Sequence, residues 1–263
     1  GLKGQAVLDK GMVVAALLPV PVENIQVQAD LDDKNIRVTS FSSVVSEGMV
    51  SGTAVVTDYL SDPAVGVTFE AKDINVKELA EGYESPVGMS GLIALTGEMK
   101  FTGKSPEALM ASLNGKVQGE LKNGVLENIN LLAAGLGNIP MLPGLLDTVM
   151  AVLPAETQEE IRKGITILGT CKAEVHMADG LVHFDGIDLT TRDLAVHASG
   201  TVKLVEELSI KADIRMDKDL SLRLGEKVPE LAYLKDEGDR VYLPMTVTGP
   251  LMKPVFMPDV EYL

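Results

Sequence analysis

Three histidines and the single cysteine fall close together in the chain: Cys171, His176, His183 and His197. Such a donor set could hold zinc if its members shared a face. Asp179-Gly180 reads as a two-residue type I′ hairpin turn. It pairs Met177 with Val182 and Val175 with Phe184 on an apolar face. Strand alternation gives Cys171 that same inner parity and turns His176 and His183 outward, opposite one another. His197 likewise alternates away from Val196 and Ala198. The cysteine is therefore on the wrong side to join the histidines. The expectation is an outward imidazole pair, with no metal and no catalytic role.

Other reactive patterns are incomplete. Asp30-Leu31-Asp32-Asp33-Lys34-Asn35 begins like a calcium loop, but Lys34 and Asn35 stand where a ligand and a glycine are needed, and no Glu occupies the twelfth position. Gly88-Met89-Ser90-Gly91 lacks the G-x-S-x-G spacing of a nucleophile elbow. No glycine-rich phosphate loop with its lysine joins a strand to a helix. The chain reads as a non-enzyme without a cofactor.

Composition narrows the partners. A formal net charge of -15 argues against nucleic acid, because an acidic surface repels phosphates. It also disfavours adsorption to anionic headgroups, so any membrane contact must be apolar and local. Apolar residues make up 46 % of the chain and aromatics only 4 %. The interior must then be built largely from Val, Ile, Leu, Ala and Met, which suits pleated strands. The start, Gly1-Leu2-Lys3-Gly4, reads as that of a piece of a longer protein.

Period-two alternation dominates the elements that would position any site. It runs through Ile25, Val27, Ala29 and Leu31; Val65, Val67, Phe69 and Ala71; Met99 and Phe101; Ile210, Ala212, Ile214 and Met216; Leu220, Leu222 and Leu224; and Leu243, Met245 and Val247. Each such strand has one greasy and one wet face. Helical signals are short: Val76 to Tyr83, a capped start at Ser105-Pro106-Glu107, and Gly144 to Lys163 broken at Pro154, with Gly164 able to end it. Ile129 to Leu153 holds one charged residue, Asp147, but its prolines and glycines favour a buried or groove-capping segment over a membrane span. The expected fold is mainly β, an extended, curved antiparallel sheet, groove-like or sandwich-like, with a few short helices. The chain forms one β-groove domain over 1–263, with two possible β halves, 1–127 and 164–263, joined by a helical segment 128–163.

Leu113-Asn114-Gly115-Lys116-Val117-Gln118-Gly119-Glu120-Leu121-Lys122-Asn123-Gly124-Val125-Leu126-Glu127-Asn128-Ile129-Asn130-Leu131 resembles a passage of the AsmA family: short helix, L-x-G strand, NG turn, strand, helix. Thr96 to Ser105 fits the same pattern, and Leu243 to Asp259 is similar to the family's closing motif. The resemblance implies the C-terminal region of an envelope protein facing the periplasm, related to TamB-like and YhdP-like proteins and tethered to the inner membrane by an N-terminal segment. It implies binding or conduction of phospholipid, or another acyl-chain lipid, along an apolar β groove between the inner and outer membranes. A one-sided apolar sheet needs a cover or a guest. The expected lipid-facing residues are Val27, Leu31, Val67, Phe69, Met99, Phe101, Ile214, Met216 and Val247. The alternative is a non-enzymatic scaffold or assembly factor for outer-membrane proteins.

Overall fold

The computed structural model describes residues 1, 3–15, 18–83, 87–137, 144–178, 181–203, 208–249 and 255–259. The chain is mainly β. Its strands are β1 (Lys3–Val13), β2 (Val22–Asp32), β3 (Ile36–Val45), β4 (Gly48–Thr57), β5 (Ala64–Asn75), β6 (Gly88–Thr102), β7 (Asn114–Glu127), β8 (Thr166–Ile167), β9 (Thr170–Ala178), β10 (Leu181–Thr190), β11 (Leu194–Lys203), β12 (Leu208–Met216), β13 (Tyr242–Gly249) and β14 (Val255–Pro258). They form one antiparallel sheet in chain order from β1 to β14, except that short β8 pairs beside the path with the end of β7. The path ends on β1 and β14, so the sheet is not closed into a barrel.

The helices are short: α1 (Val76–Gly82), α2 (Pro106–Ala111), α3 (Leu131–Gly137), α4 (Leu145–Met150), α5 (Ala155–Lys163) and α6 (Lys218–Lys227), plus a 3₁₀ turn over Pro229–Leu234. Local chemistry explains their limits. The Ser105 hydroxyl accepts from Ala108 N at 3.2 Å to cap α2, as a serine before a first helical turn should. Gly164 ends α5 in the left-handed region at φ 64°, where a glycine carries no steric penalty. The break at Pro154 separates α4 from α5. Among the described residues, no helix is long and apolar enough to cross a membrane.

Two sequence expectations are corrected. Leu220, Leu222 and Leu224 do not form a strand but lie in α6, which Asp217 caps by accepting from Asp219 N at 2.9 Å. Leu220 and Leu224 are fully buried, whereas Leu222 is exposed; residues four apart share a helix face and residues two apart do not. Alternation over three leucines satisfied both periods. Asn123-Gly124 is not a turn either, because β7 runs straight through it. Only Asn123 takes a positive φ, 51°, and a two-residue I′ turn needs both central residues there. The expected Asp179-Gly180 turn lies outside the described residues, as do Pro140, Pro143 and residues 250–254 of the closing motif.

The chain divides into two compact units. Unit 1 comprises 1–85, 91–121 and 173–183; unit 2 comprises 86–90, 122–172 and 184–263. The division cuts through β6, β7, β9 and β10 rather than passing between strands.

Candidate functional site in unit 1

The register of unit 1 sorts its apolar side chains into rows, because residues paired directly across antiparallel strands share a face. One row runs Gly4, Leu31, Ile36, Val56, Val65, Phe101. The next runs Ala6, Ala29, Val38, Ala54, Val67, Met99, and a third Leu8, Val27, Phe41, Gly52, Phe69, Gly97. Each row crosses β1 to β6, roughly 24 Å at about 4.8 Å per strand. Six of the expected lipid-facing residues, Val27, Leu31, Val67, Phe69, Met99 and Phe101, thus occupy one apolar floor.

The third row alternates ring and glycine for a steric reason. A Cβ at Gly52 would stand 2.9 Å from the Phe41 ring and closer still to the Thr68 carbonyl oxygen. A Cβ at Gly97 would stand 2.9 Å from the Phe69 ring and 2.8 Å from the Lys116 oxygen. Both rings therefore lie across a neighbouring glycine, and the floor stays low where two aromatic side chains would otherwise project. The opposite face is wet and self-bonded: Gln5 donates to Asp30 at 3.1 Å, and the Thr53 and Thr68 hydroxyls meet at 2.8 Å.

The floor is only half covered. Val27, Leu31, Val67, Phe69, Met99 and Phe101 are all half-buried, and Leu8 is 45 % exposed. Small Ala29 and Ala71 are sealed, and Ile74 is buried beyond the bulge that interrupts the pairing of β5 with β6. The unit's own helices supply little cover: α1 buries Val76 alone, and Ala108 to Ala111 of α2 are exposed or half-buried.

Unit 2 treats an equivalent face differently. Val196, Ile214 and Leu243 form one cross-strand row, and Ala198, Ala212, Met245 and Pro258 the next. Helices α3, α4 and α6 and the 3₁₀ turn close over them through Leu136, Val149, Leu220, Leu224 and Leu231. A Cβ on Gly135 of α3 would rest 3.5 Å from Ile214 Cδ1. Ile214 is 8 % and Met216 1 % exposed, so these two expected lipid-facing residues lie in a sealed core. Val247 is half-buried between Ile210 and Phe256 in its row. The low-charge stretch 129–153 contributes α3 and α4 to this core; its residues 138–143 lie outside the described ones.

The reactive residues are accounted for differently. His176 and His183 are half-buried and stacked, with ring centroids 4.6 Å apart, consistent with a directly opposed pair. His197 is exposed, its Nδ1 2.8 Å from Asp188 Oδ1. Cys171 is half-buried, and burial pushes its thiol pKa up, away from a reactive thiolate. Among the described residues, no three of His, Cys, Asp and Glu are placed to hold a metal. Asp32 instead closes the β2–β3 turn, accepting from Lys34 N at 2.8 Å and from Asn35 N at 2.7 Å. These bonds favour the charged carboxylate and hold its pKa below the usual value.

Residues 14–139 match the model of the AsmA family. This region is AsmA-like. The AsmA-like region takes in β2 to β7, and so nearly the whole apolar floor, whereas the core of strands β11 to β14 and the similarity at Leu243 to Asp259 fall outside it. No characterised protein and no solved structure matches the chain.

Proposed function

We propose that the floor of unit 1 holds the acyl chains of phospholipid, or of a similar lipid, and that the chain acts as a non-enzymatic lipid-handling module of the cell envelope, on the periplasmic side between inner and outer membranes. The observation that carries this reading is the set of contiguous, incompletely buried apolar rows within the AsmA-like region. A monomer seldom leaves so continuous an apolar surface without a use for it. Taking an acyl chain of about 15 methylenes into water costs on the order of 12 kcal/mol at roughly 0.8 per CH₂. A floor that keeps one side of the chain dry lowers that cost at every step across the strands, while the headgroup stays wet.

Photo-crosslinking tests this directly. Probes replacing Phe69 and Phe101 should form adducts with a labelled phospholipid, while probes at Lys100 on the wet face and at Met216 in the sealed core should not. Folded protein with no adduct at either floor position would defeat the lipid reading and leave the scaffold. Adducts confined to Lys100 would mean that the opposite face is the working one.

A further inference from the structure

Between the first two strands the chain carries an unbroken apolar run, Met12-Val13-Val14-Ala15-Ala16-Leu17-Leu18-Pro19-Val20-Pro21-Val22, with no polar side chain. Ala16 and Leu17 lie outside the described residues; of the others, Met12 is 66 %, Val14 71 % and Leu18 39 % exposed, while Pro19, Val20 and Val22 are half-buried. Leu18 N donates to Ala15 O at 2.9 Å, which closes the chain back on itself. The return limb is braced on α1, because Gly82 approaches Pro19 so closely that a Cβ there would stand 2.6 Å from the Pro19 oxygen. Tyr83, next in the chain, is 63 % exposed. At the base of the loop Val13 pairs with Val22 and Gly11 with Ile25, and Leu8 Cδ2 reaches within 3.1 Å of where a Gly11 Cβ would stand. Apolar surface therefore continues from the loop into the floor row that begins at Leu8 and Val27.

We infer that this loop docks unit 1 on a lipid bilayer by shallow insertion. Its composition favours a bilayer over a protein partner: protein hot spots are rich in Trp, Tyr and Arg set in polar rims, and the run offers only aliphatic groups that neither donate nor accept. Its length is far below the roughly 20 residues a helical span needs, so it can enter only the outer part of one leaflet. Tyr83 suits the headgroup level, where an aromatic body and a polar tip are both satisfied. Charge sets the mode of contact. A chain at -15 is repelled by anionic lipid, so insertion has to be apolar and indifferent to headgroup sign.

Bilayer docking and acyl-chain holding by the floor are separable, since crosslinking at Phe69 reads the second without the first. The chain has no tryptophan, so Val14→Trp creates a sole indole at the loop. Phosphatidylcholine vesicles should shift its emission to the blue, and brominated acyl chains should quench it. Adding phosphatidylglycerol should not strengthen binding at low salt. Leu18→Asp in the same background should weaken vesicle binding about tenfold or more with unchanged circular dichroism. Leu222→Trp, exposed on α6, should show no shift. An unshifted Val14→Trp spectrum at saturating vesicles would overturn the inference. So would a blue shift that rises with protein concentration without vesicles, which would make the loop a contact between copies. Binding seen only with anionic vesicles and lost in salt would overturn it as well.

Discussion

The two units build the same kind of sheet face and finish it in opposite ways. In unit 2 the face carrying Ile214, Leu243 and Met245 meets helices whose leucines seal it, and Leu220, Leu224 and Leu231 have no exposed surface. In unit 1 the face carrying Val67, Phe69 and Met99 is only half-buried, and its two short helices bury little. Alternation alone is silent on this difference, because a period of two states that a face is greasy and not what lies on it. The helices decide. Unit 2 lays α3, α4 and α6 over its face, and each buries side chains at three- or four-residue spacing.

A charge placed on each face separates them most sharply. Met216→Asp should cost about 4 kcal/mol or more and abolish cooperative melting of unit 2, since a carboxylate sealed among leucines has no partner and no water. Val67→Asp should cost less than about 2 kcal/mol, because its carboxylate can reach solvent, yet it should remove lipid adducts from Phe69 and Phe101. Equal destabilisation by the two would show that unit 1 is also closed. Truncation sharpens the same contrast at smaller amplitude. Leu220→Ala should lose about 3 kcal/mol, through transfer and cavity costs, and Val67→Ala under about 1 in urea melts. Gly52→Ala is expected to cost about 1 to 3 kcal/mol, since the new methyl must displace the Phe41 ring and a backbone oxygen. A neutral effect there would mean that the ring-over-glycine packing is soft.

Much of this was legible in the sequence. The alternations at Ile25 to Leu31, Val65 to Ala71, Ile210 to Met216 and Leu243 to Val247 all lie in strands, and parity placed six floor residues on one side. The Ser105 cap and the break at Pro154 were also readable, since single residues dictate them. What escaped depended on context. Leu220 to Leu224 fits both periods, and only the cap at Asp217 and the burial of Ser221, which donates to Asp217 O and accepts from Val241 N, settle the helix. The NG pair inside β7 failed as a turn because only Asn123 has a positive φ. The exposure of Met12, Val14 and Leu18 is a fact of three dimensions that no periodicity announces.

The smallest expected effect concerns how each unit fixes a turn with one carboxylate, Asp32 in unit 1 and Asp236 in unit 2. Asp236 accepts from Arg240 N at 3.0 Å and Gly238 N at 2.9 Å, and Arg240 and Arg215 guanidinium nitrogens lie 3.2 and 3.5 Å from its other oxygen. Arg215 also stacks over Tyr242 at 4.8 Å, so the loop between Lys235 and Val241 is tied to the outer face of β12 and β13. The backbone bond from Arg240 is the leading cause that holds the Asp236 pKa below the usual carboxylate value, because it favours the charged form. A depressed folded pKa means that the unfolded chain takes up its proton first as pH falls. The stabilisation is thus fully present above the unfolded value near 4 and is lost as pH drops through the lower folded one. Asp236→Asn should therefore melt below the parent at pH 7, and the gap should narrow below about pH 4. Lipid adducts at Phe69 should be unchanged, because this turn belongs to the closed unit. A melting gap that stays constant down to about pH 2.5 would show that the amide loses packing rather than charge, and a loss of floor adducts would show that the two units do not act separately.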